Sequence, residues 1–538
     1  MRARAGVVAI CASLLAAPAR AADPEPWPPS TAPGFDDSAP VSGAAPAASS
    51  RVPPAAPARQ VVPIPREVPP PPSPAEASEE PPVDVEAVAP PNEAATAVSA
   101  PDAALVAVGA RGPRRNDVEL GSRDGQFFLR TPGDEVTLLP SARLEIDGSS
   151  LRTPDPYKTG ETLSVDRFRV DLAGWVGSKV YFDLSADVAY AFSMRYADNY
   201  VAVAPWGDRA IVQVGQFDAP FTLENRTPDR YLDFFDRSAA VHAFAIPENK
   251  DQGIMVHGMS PARNIYYSAA ILNGEGPAVA GVSGQVDVMA RGWVAPFSVR
   301  GPKILRDVTV GASAWTGDRS GQAFEAQATQ GGYTFLTPIV FWNTAARMDP
   351  LALRQQSRLE AGALELNAPI AHRFGVRAEW IAKRQPLAAF ENPNAGQASN
   401  VGSMTLSGWA GYAEIWGWAL GSDRLLGAVA APGLELPVRY ADLADARARG
   451  GVMISARVDH IEETLSEDAN ATNAGIGVGS AGQTKLTAYT LGGSYWFTRR
   501  ARLSVNYVLN RFDGVTPWLN GLGGKQEQEV LGRLALAL

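Results

Sequence analysis

The sequence predicts an all-β fold: a transmembrane antiparallel β-barrel of about 16 strands, with a constriction loop folded into its interior and a disordered, Pro-rich N-terminal segment. Three observations predict it. From Gly125 to the last residue, apolar and polar side chains alternate with the two-residue period of a strand. After the first 21 residues no stretch reaches the ~18 consecutive apolar residues of a membrane helix. Several alternating segments run ten residues or more, which suits a tilted crossing of a bilayer, and strands can satisfy their backbones in lipid only by closing on themselves.

The chain opens with the three-part layout of an export signal. Arg2 and Arg4 precede an apolar run from Gly6 to Ala17, and Ala19-Arg20-Ala21 follows, which predicts a signal peptide over residues 1–21 cleaved after Ala21. The sequence's one cysteine, Cys11, lies within it, so the exported chain crosses an oxidising compartment with no disulfide to form. Residues 22–110 then hold 22 of the 44 prolines among Ala, Ser and Glu, and of the 45 aromatics only Trp27 and Phe35 precede Phe127. Such a composition buries too little apolar surface to offset its ordering entropy. It predicts a disordered periplasmic tether, extended at about 3.1 Å per residue where Pro dominates, that reads as a spacer or as a cell-wall contact.

Alternation fixes the strands that follow. Phe168, Val170, Leu172 and Val176 oppose Arg167, Arg169 and Asp171; Phe374, Val376, Ala378 and Trp380 oppose Arg373, Arg377, Glu379 and Lys383; Leu503, Val505, Tyr507 and Leu509 oppose Arg502, Ser504, Asn506 and Asn510. Sixteen such segments begin near residues 136, 162, 180, 195, 209, 251, 263, 284, 304, 355, 372, 403, 450, 483, 500 and 528, and in the one near 403, residues Tyr412 to Leu420 read either as its continuation or as its partner. Trp380, Tyr495, Trp496, Phe497, Trp416 and Trp418 near strand ends are expected to form aromatic girdles at the membrane interfaces. Short turns such as Trp175 to Val180 alternate with long connections such as Gly317 to Gln355, the asymmetry of an outer-membrane barrel.

Between the apolar runs Ile211–Val214 and Ile254–Val256 lies a segment that is neither strand nor slack linker. Phe221, Tyr231, Phe234, Phe235 and Phe244 need something to pack on, while eleven charged residues from Asp218 to Asp251 need water or each other. A loop folded inside a water-filled wall satisfies both. VGQFDAPFTLE (214–224), LDFFDRS (232–238) and DQGIMVHG (251–258) resemble the phosphate-selective porin O and P family, as do FRVDLAGWVGSKVYFDLSADVA, GYAEIWGWAL, LGGSYWFTRRARLSVNYVLNRFDG and the closing VLGRLALAL. The resemblance covers roughly residues 124–538. It implies an outer-membrane porin domain of sixteen strands, commonly a homotrimer in outer-membrane lipid, whose third loop narrows a channel for small hydrophilic solutes or inorganic anions such as phosphate.

The constriction candidates are Arg226, Arg230, Asp233, Asp236, Arg237, His242 and Lys250, with Arg230 and Arg237 matching the family's positions most closely. Guanidinium groups suit an anion filter because their fork replaces phosphate hydration. The same arginines can instead pair with Asp229, Asp233 and Asp236 and pin the loop. From Asp218 to Asp251 four bases face seven acids, so the loop is acidic by three. On the faces assigned to the lumen, the bases Arg167, Arg169, Arg291, Arg373, Arg377, Lys383, Arg457, Arg502 and Arg533 outnumber the acids Asp171, Asp183, Asp187, Asp287, Asp307, Glu379 and Asp459 by nine to seven.

A net charge of −9 without a Lys/Arg cluster excludes nucleic acid as a partner. Gly477 to Gly482 spells GxGxxG but has no helix to present its amides, and His242, His257, His372 and His460 show no metal-ligand spacing, so no cofactor or metal is expected. No Ser or Asp pairs with a His as a barrel hydrolase would need. The remaining rival is structural: a barrel that anchors a Pro-rich segment attached to the cell wall or a periplasmic partner.

Overall fold

The computed structural model describes residues 118–538 except 124–125, 153–158, 190–194, 245–248, 275, 278–285, most of 320–349, 391–399, most of 423–449, 468–475, 479–482, 515–525 and 538. The signal and tether assigned to residues 1–110 lie outside the described residues.

A hairpin of β1 (Glu119–Arg123) and β2 (Gln126–Arg130) leads into the barrel strands. These are β3 (Val136–Arg152), β4 (Gly160–Val176), β5 (Val180–Asp187), β6 (Arg195–Val203), β7 (Ile211–Asp218), β8 (Lys250–Met259), β9 (Ile265–Leu272) and β10 (Asp287–Val294). They continue as β11 (Thr309–Asp318), β12 (Arg358–Ile370), β13 (Phe374–Phe390), β14 (Asn400–Leu420), β15 (Gly451–Glu467), β16 (Gln483–Thr498), β17 (Ala501–Gly514) and β18 (Gln526–Ala537). Each pairs antiparallel with its neighbours, and β18 returns to β3 from Gln528↔Arg152 to Ala537↔Arg143. The sheet therefore closes, and strands β3 to β18 are the sixteen that alternation predicts. The ambiguous segment near 403 is one strand of 21 residues, β14, because its whole length pairs with β13 and β15.

Outward positions carry exposed apolar side chains: Leu163, Val170 and Val176 on β4, Ile254 and Val256 on β8, Leu503, Val505 and Tyr507 on β17. Inward positions are polar in part, yet a large share is apolar. Met255, Leu272, Met289, Trp315, Leu359, Ile381, Ala410, Tyr412, Ile461, Leu486 and Phe512 form a core inside the barrel rather than around it. A protein core there needs a filler, which the segment between β7 and β8 supplies.

Three expectations change. Of the six girdle aromatics, Trp380, Tyr495 and Phe497 are outward and exposed, whereas Trp416, Trp418 and Trp496 point inward and cluster with Met453. They share strands with true girdle residues but have the opposite parity. Arg373 lies in the turn between β12 and β13, where its amide donates to Ile370 O at 3.1 Å, so it is exposed and not on the lumen wall. Asp307 precedes β11 and is likewise exposed, 3.7 Å from His372. In both cases the alternation was extended past the strand end.

Lipid-facing parity has an energetic consequence. Ile254→Arg at the middle of β8 should cost about 2–4 kcal/mol, while Val376→Arg, three residues from a short turn, should cost about 0–1; urea unfolding from phospholipid vesicles measures both.

Candidate functional site

From the end of β7 the chain enters the barrel, and residues 219–244 are described there. Thr222 caps a one-turn helix α1 (Leu223–Arg226), a 3-10 turn spans Asp229–Tyr231, and α2 (Ala239–Phe244) follows. On α2, Ala239, Ala240, Val241, Ala243 and Phe244 are buried and only His242 is exposed. Its apolar side packs on the inward residues of β13, β14 and β15. Burying Val241 and Phe244 contributes about 1.5–3 kcal/mol each.

Polar contacts then fix the loop's position. Glu379 accepts from the amides of Leu223 and Glu224 at 2.7 and 2.8 Å and from Tyr412 Oη at 2.8 Å. Asn506 accepts from the Phe235 amide at 3.1 Å. Arg502 donates to Leu232 O at 2.7 Å, and Arg533 to Phe235 O at 3.1 Å while it forks onto Asp147 at 2.7 and 2.6 Å. Arg377 joins Asp233 at 2.9 Å to Glu414 at 2.6 Å.

Arg457 is the centre of this arrangement. Its side chain is wholly buried, with Nη1 3.1 Å from Glu224 Oε1, Nε 3.1 Å from Asp459 Oδ2, and donations to Asp236 O at 3.5 Å and Arg237 O at 3.3 Å. Its guanidinium lies 4.4 Å from the centre of the Phe234 ring. The same ring also lies against Gly492, where an added Cβ would stand 3.1 Å from Phe234 Cδ1 and 2.8 Å from the Ser455 hydroxyl. The loop therefore sits against backbone at this point.

The tip is held by β3 and β4 and by the loop's own Arg237. Asp229 receives Arg237 at 2.7 Å, Arg167 in a short contact and Arg143 at 4.0 Å. Burial alone would raise the Asp229 pKa, but these three guanidiniums outweigh it and hold the carboxyl well below its usual range.

Among the predicted constriction residues, Arg237 and Asp233 are pinning residues, and Arg226 donates to Asp218 O. Lys250 opens β8 and bridges Asp198 and Asp218 at 2.7 and 2.6 Å. Arg230 stacks on its own Tyr231 at 4.7 Å and makes no ion pair among the described residues. Of the wall candidates, Arg167, Arg377, Arg457 and Arg502 meet the loop, Lys383 lies over Trp315 at 5.4 Å, and Arg169 keeps a buried Nε without a hydrogen-bond partner. Arg373 stands apart in its turn. The inward Arg143, Glu145, Asp147, Glu365, Glu414, Glu463, Glu527 and Glu529 escaped the sequence reading, although Arg143-Leu-Glu-Ile-Asp147 alternates as plainly as the strands that were read. With them the wall is no longer base-rich.

A family model for phosphate-selective porin O and P matches residues 141–526. The chain belongs to that family. It is an outer-membrane porin, a channel for solute diffusion, and residues 219–244 of its loop stand in the lumen. A search of curated proteins finds no match. Similar solved structures include OmpT of Vibrio cholerae with loop L8 deleted (10% identity, TM-score 0.44, covering 75% of this chain and 100% of that one). Others are an anion-selective porin from Comamonas acidovorans (10%, 0.40, 75% and 100%) and the channel DcaP of Acinetobacter baumannii (11%, 0.41, 76% and 98%).

The porin's solvent-facing loop pair is titratable. His242 Nε2 lies 3.2 Å from Asp236 Oδ2, each side chain about a third exposed (35% and 34%). Desolvation lowers the His242 pKa, but the Asp236 charge and hydrogen bond outweigh it and the net shift is upward. Asp236 is shifted below its usual range, the charges of His242 and Arg237 overcoming its own desolvation.

A folded pKa above 6.5 makes the His242 contribution complete below that pH and lost as pH rises through the folded value. Raising pH through that window removes a lumen cation, so the reversal potential in a KCl gradient should move toward cation preference. His242→Ala should abolish the step. Separately, Arg457→Leu strands Glu224 and Asp459 without their cation, and removing one partner of a buried pair costs about 3–5 kcal/mol. Thermal unfolding should show that loss, and single-channel recording a larger, noisier conductance.

Proposed function

We propose that this porin passes small hydrophilic solutes, inorganic anions such as phosphate among them, with only a weak charge preference, and that it conducts rather than catalyses. One observation carries the reading. The arginines nearest the loop already have protein acceptors: Arg237 holds Asp229 and the carbonyls of Glu224 and Thr227, Arg377 holds Asp233 and Glu414, and Arg457 holds Glu224 and Asp459. Donors held this way are not available to exchange for phosphate hydration, and Arg377 Nε, which has no hydrogen-bond partner, is itself buried. That supports the pinning role over a dedicated phosphate filter, with Arg169, Arg230 and protonated His242 left as cations that solutes would meet.

The route follows from exposure. Inward side chains of β13 to β17 beneath the loop are buried, as with Ile381 and Ala410 at 0% and Arg457 at 2%. The inward Arg169, Asp171, Asp183, Asp198 and Tyr200 of β4 to β6 are only half-buried. The reading therefore runs the water path along β4 to β6. Assembly as a homotrimer, which family membership suggests, belongs to the same proposal, and residues 22–110 act in it as a periplasmic spacer.

Planar-bilayer recording tests this. Open channels with a reversal potential near zero in a KCl gradient, and phosphate conducted without saturating block at low concentration, are expected. Strong anion selectivity with phosphate block of the chloride current would refute the weak-preference reading, and silence from folded protein would refute conduction itself.

A further inference from the structure

The hairpin β1–β2 stands outside the closed ring of β3 to β18. It pairs with β3 through Leu129↔Leu138 and Arg130↔Thr137, beyond Ala537↔Arg143 where β18 ends, so it continues the sheet past the closing strand at the short-turn end. Paired residues in an antiparallel ladder share a face. Leu120 pairs with Leu129 and Ser122 with Phe127, and Leu129 with Leu138, which has the outward parity of Leu144 and Ile146. The hairpin's outer face therefore carries Leu120, Phe127 and Leu129 in the surface of the barrel's lipid-facing wall.

That face is exposed: Val118 55%, Leu120 75% and Phe127 51%. The opposite face differs: Phe128 is 5% exposed, and the exposed Glu119 and Asp134 engage Arg130. The sidedness is what a monolayer contact requires, with apolar groups toward lipid and the charged pairs toward water. Height agrees with this. Val136 and Leu138 of β3 pair with Val176 and Gly174 of β4, and Val176 is itself an outward apolar residue, 48% exposed. The hairpin thus lies level with the last apolar row of the barrel wall, continuous with its lipid surface.

We propose that β1–β2 is a membrane-seated flap, its Leu120–Phe127–Leu129 face immersed at the periplasmic-side boundary of the outer membrane, which fixes where the chain leaves the barrel for the periplasm. The occupant of this face is phospholipid. It rests on the barrel's standing in the outer membrane and not on the channel's selectivity.

The test uses the full chain with Cys11→Ala, so that one added cysteine is unique. Phe127→Cys is labelled with an environment-sensitive fluorophore, folded into phosphatidylcholine vesicles and checked for heat-modifiable migration. Val176→Cys serves as the lipid-facing control at the same height and Lys179→Cys, exposed in the following turn, as the aqueous control. The proposal expects blue-shifted emission and quenching by shallow spin-labelled lipid at position 127 equal to that at 176, with little quenching by aqueous iodide. Iodide quenching equal to that at 179 would overturn it, since the face would then be in water. Protection from both quenchers would also overturn it, and would place protein there, either a second copy or residues 103–117. Leu120→Cys repeats the readout if the first variant does not fold.

Discussion

A guanidinium buried to the last atom cannot remain there without acceptors, and the interior of this barrel depends on how Arg457 finds them. Its donors reach a loop carboxylate, a wall carboxylate and two loop carbonyls, while its face covers Phe234. Transferring such a charge from water costs several kcal/mol, which only a near-complete set of charge-assisted hydrogen bonds offsets. Three of these hydrogen bonds run to the loop, so the same interactions that compensate the buried charge also hold the loop where it stands.

The rest of the lumen follows from that placement. With α2 seated on Ile381, Ala410, Tyr412 and Ile461, one side of the barrel becomes the core of a small protein. Arg377, Arg502 and Arg533 add ties along the lower wall, close to the short-turn ends of their strands. Asp229, drawn between Arg237 and Arg167, ties the tip to the other side. The proposed water path then runs along β4 to β6, past the loop's solvent-facing Asp236 and His242. In the proposed reading the arginines act on solutes mainly by locating the loop.

Strand number, strand order and the inward loop were legible because they rest on two robust signals, period-two alternation and an amphipathic insertion too rich in aromatics to be a linker. The partition of the aromatics was not. Trp416 and Trp418 lie one residue from outward Ile415 and two from exposed Leu420, and composition alone cannot give parity in a strand where both faces are apolar. The filled lumen defeats the polar-inside rule for the same reason, since Ile381 and Leu486 face a packed loop where water was expected. Charge counting failed differently. It counted Arg377 and Arg457 as positive wall charge, whereas they meet Asp233 and Glu224 across more than a hundred residues of chain; the local pairing of Arg237 with Asp229 was among the pairings the sequence allowed. The hairpin was missed because five-residue strands are too short for alternation to register.

The central claim is that the loop is packed against the β13 to β17 side and leaves the passage along β4 to β6. Single cysteines in the Cys11→Ala chain test it directly, by recording current while a charged thiol reagent is added. Asp183→Cys, half-buried on β5, should react and change conductance within the recording, and Ala410→Cys, 0% exposed beneath α2, should not. Rapid block at position 410 with none at 183 would contradict the account.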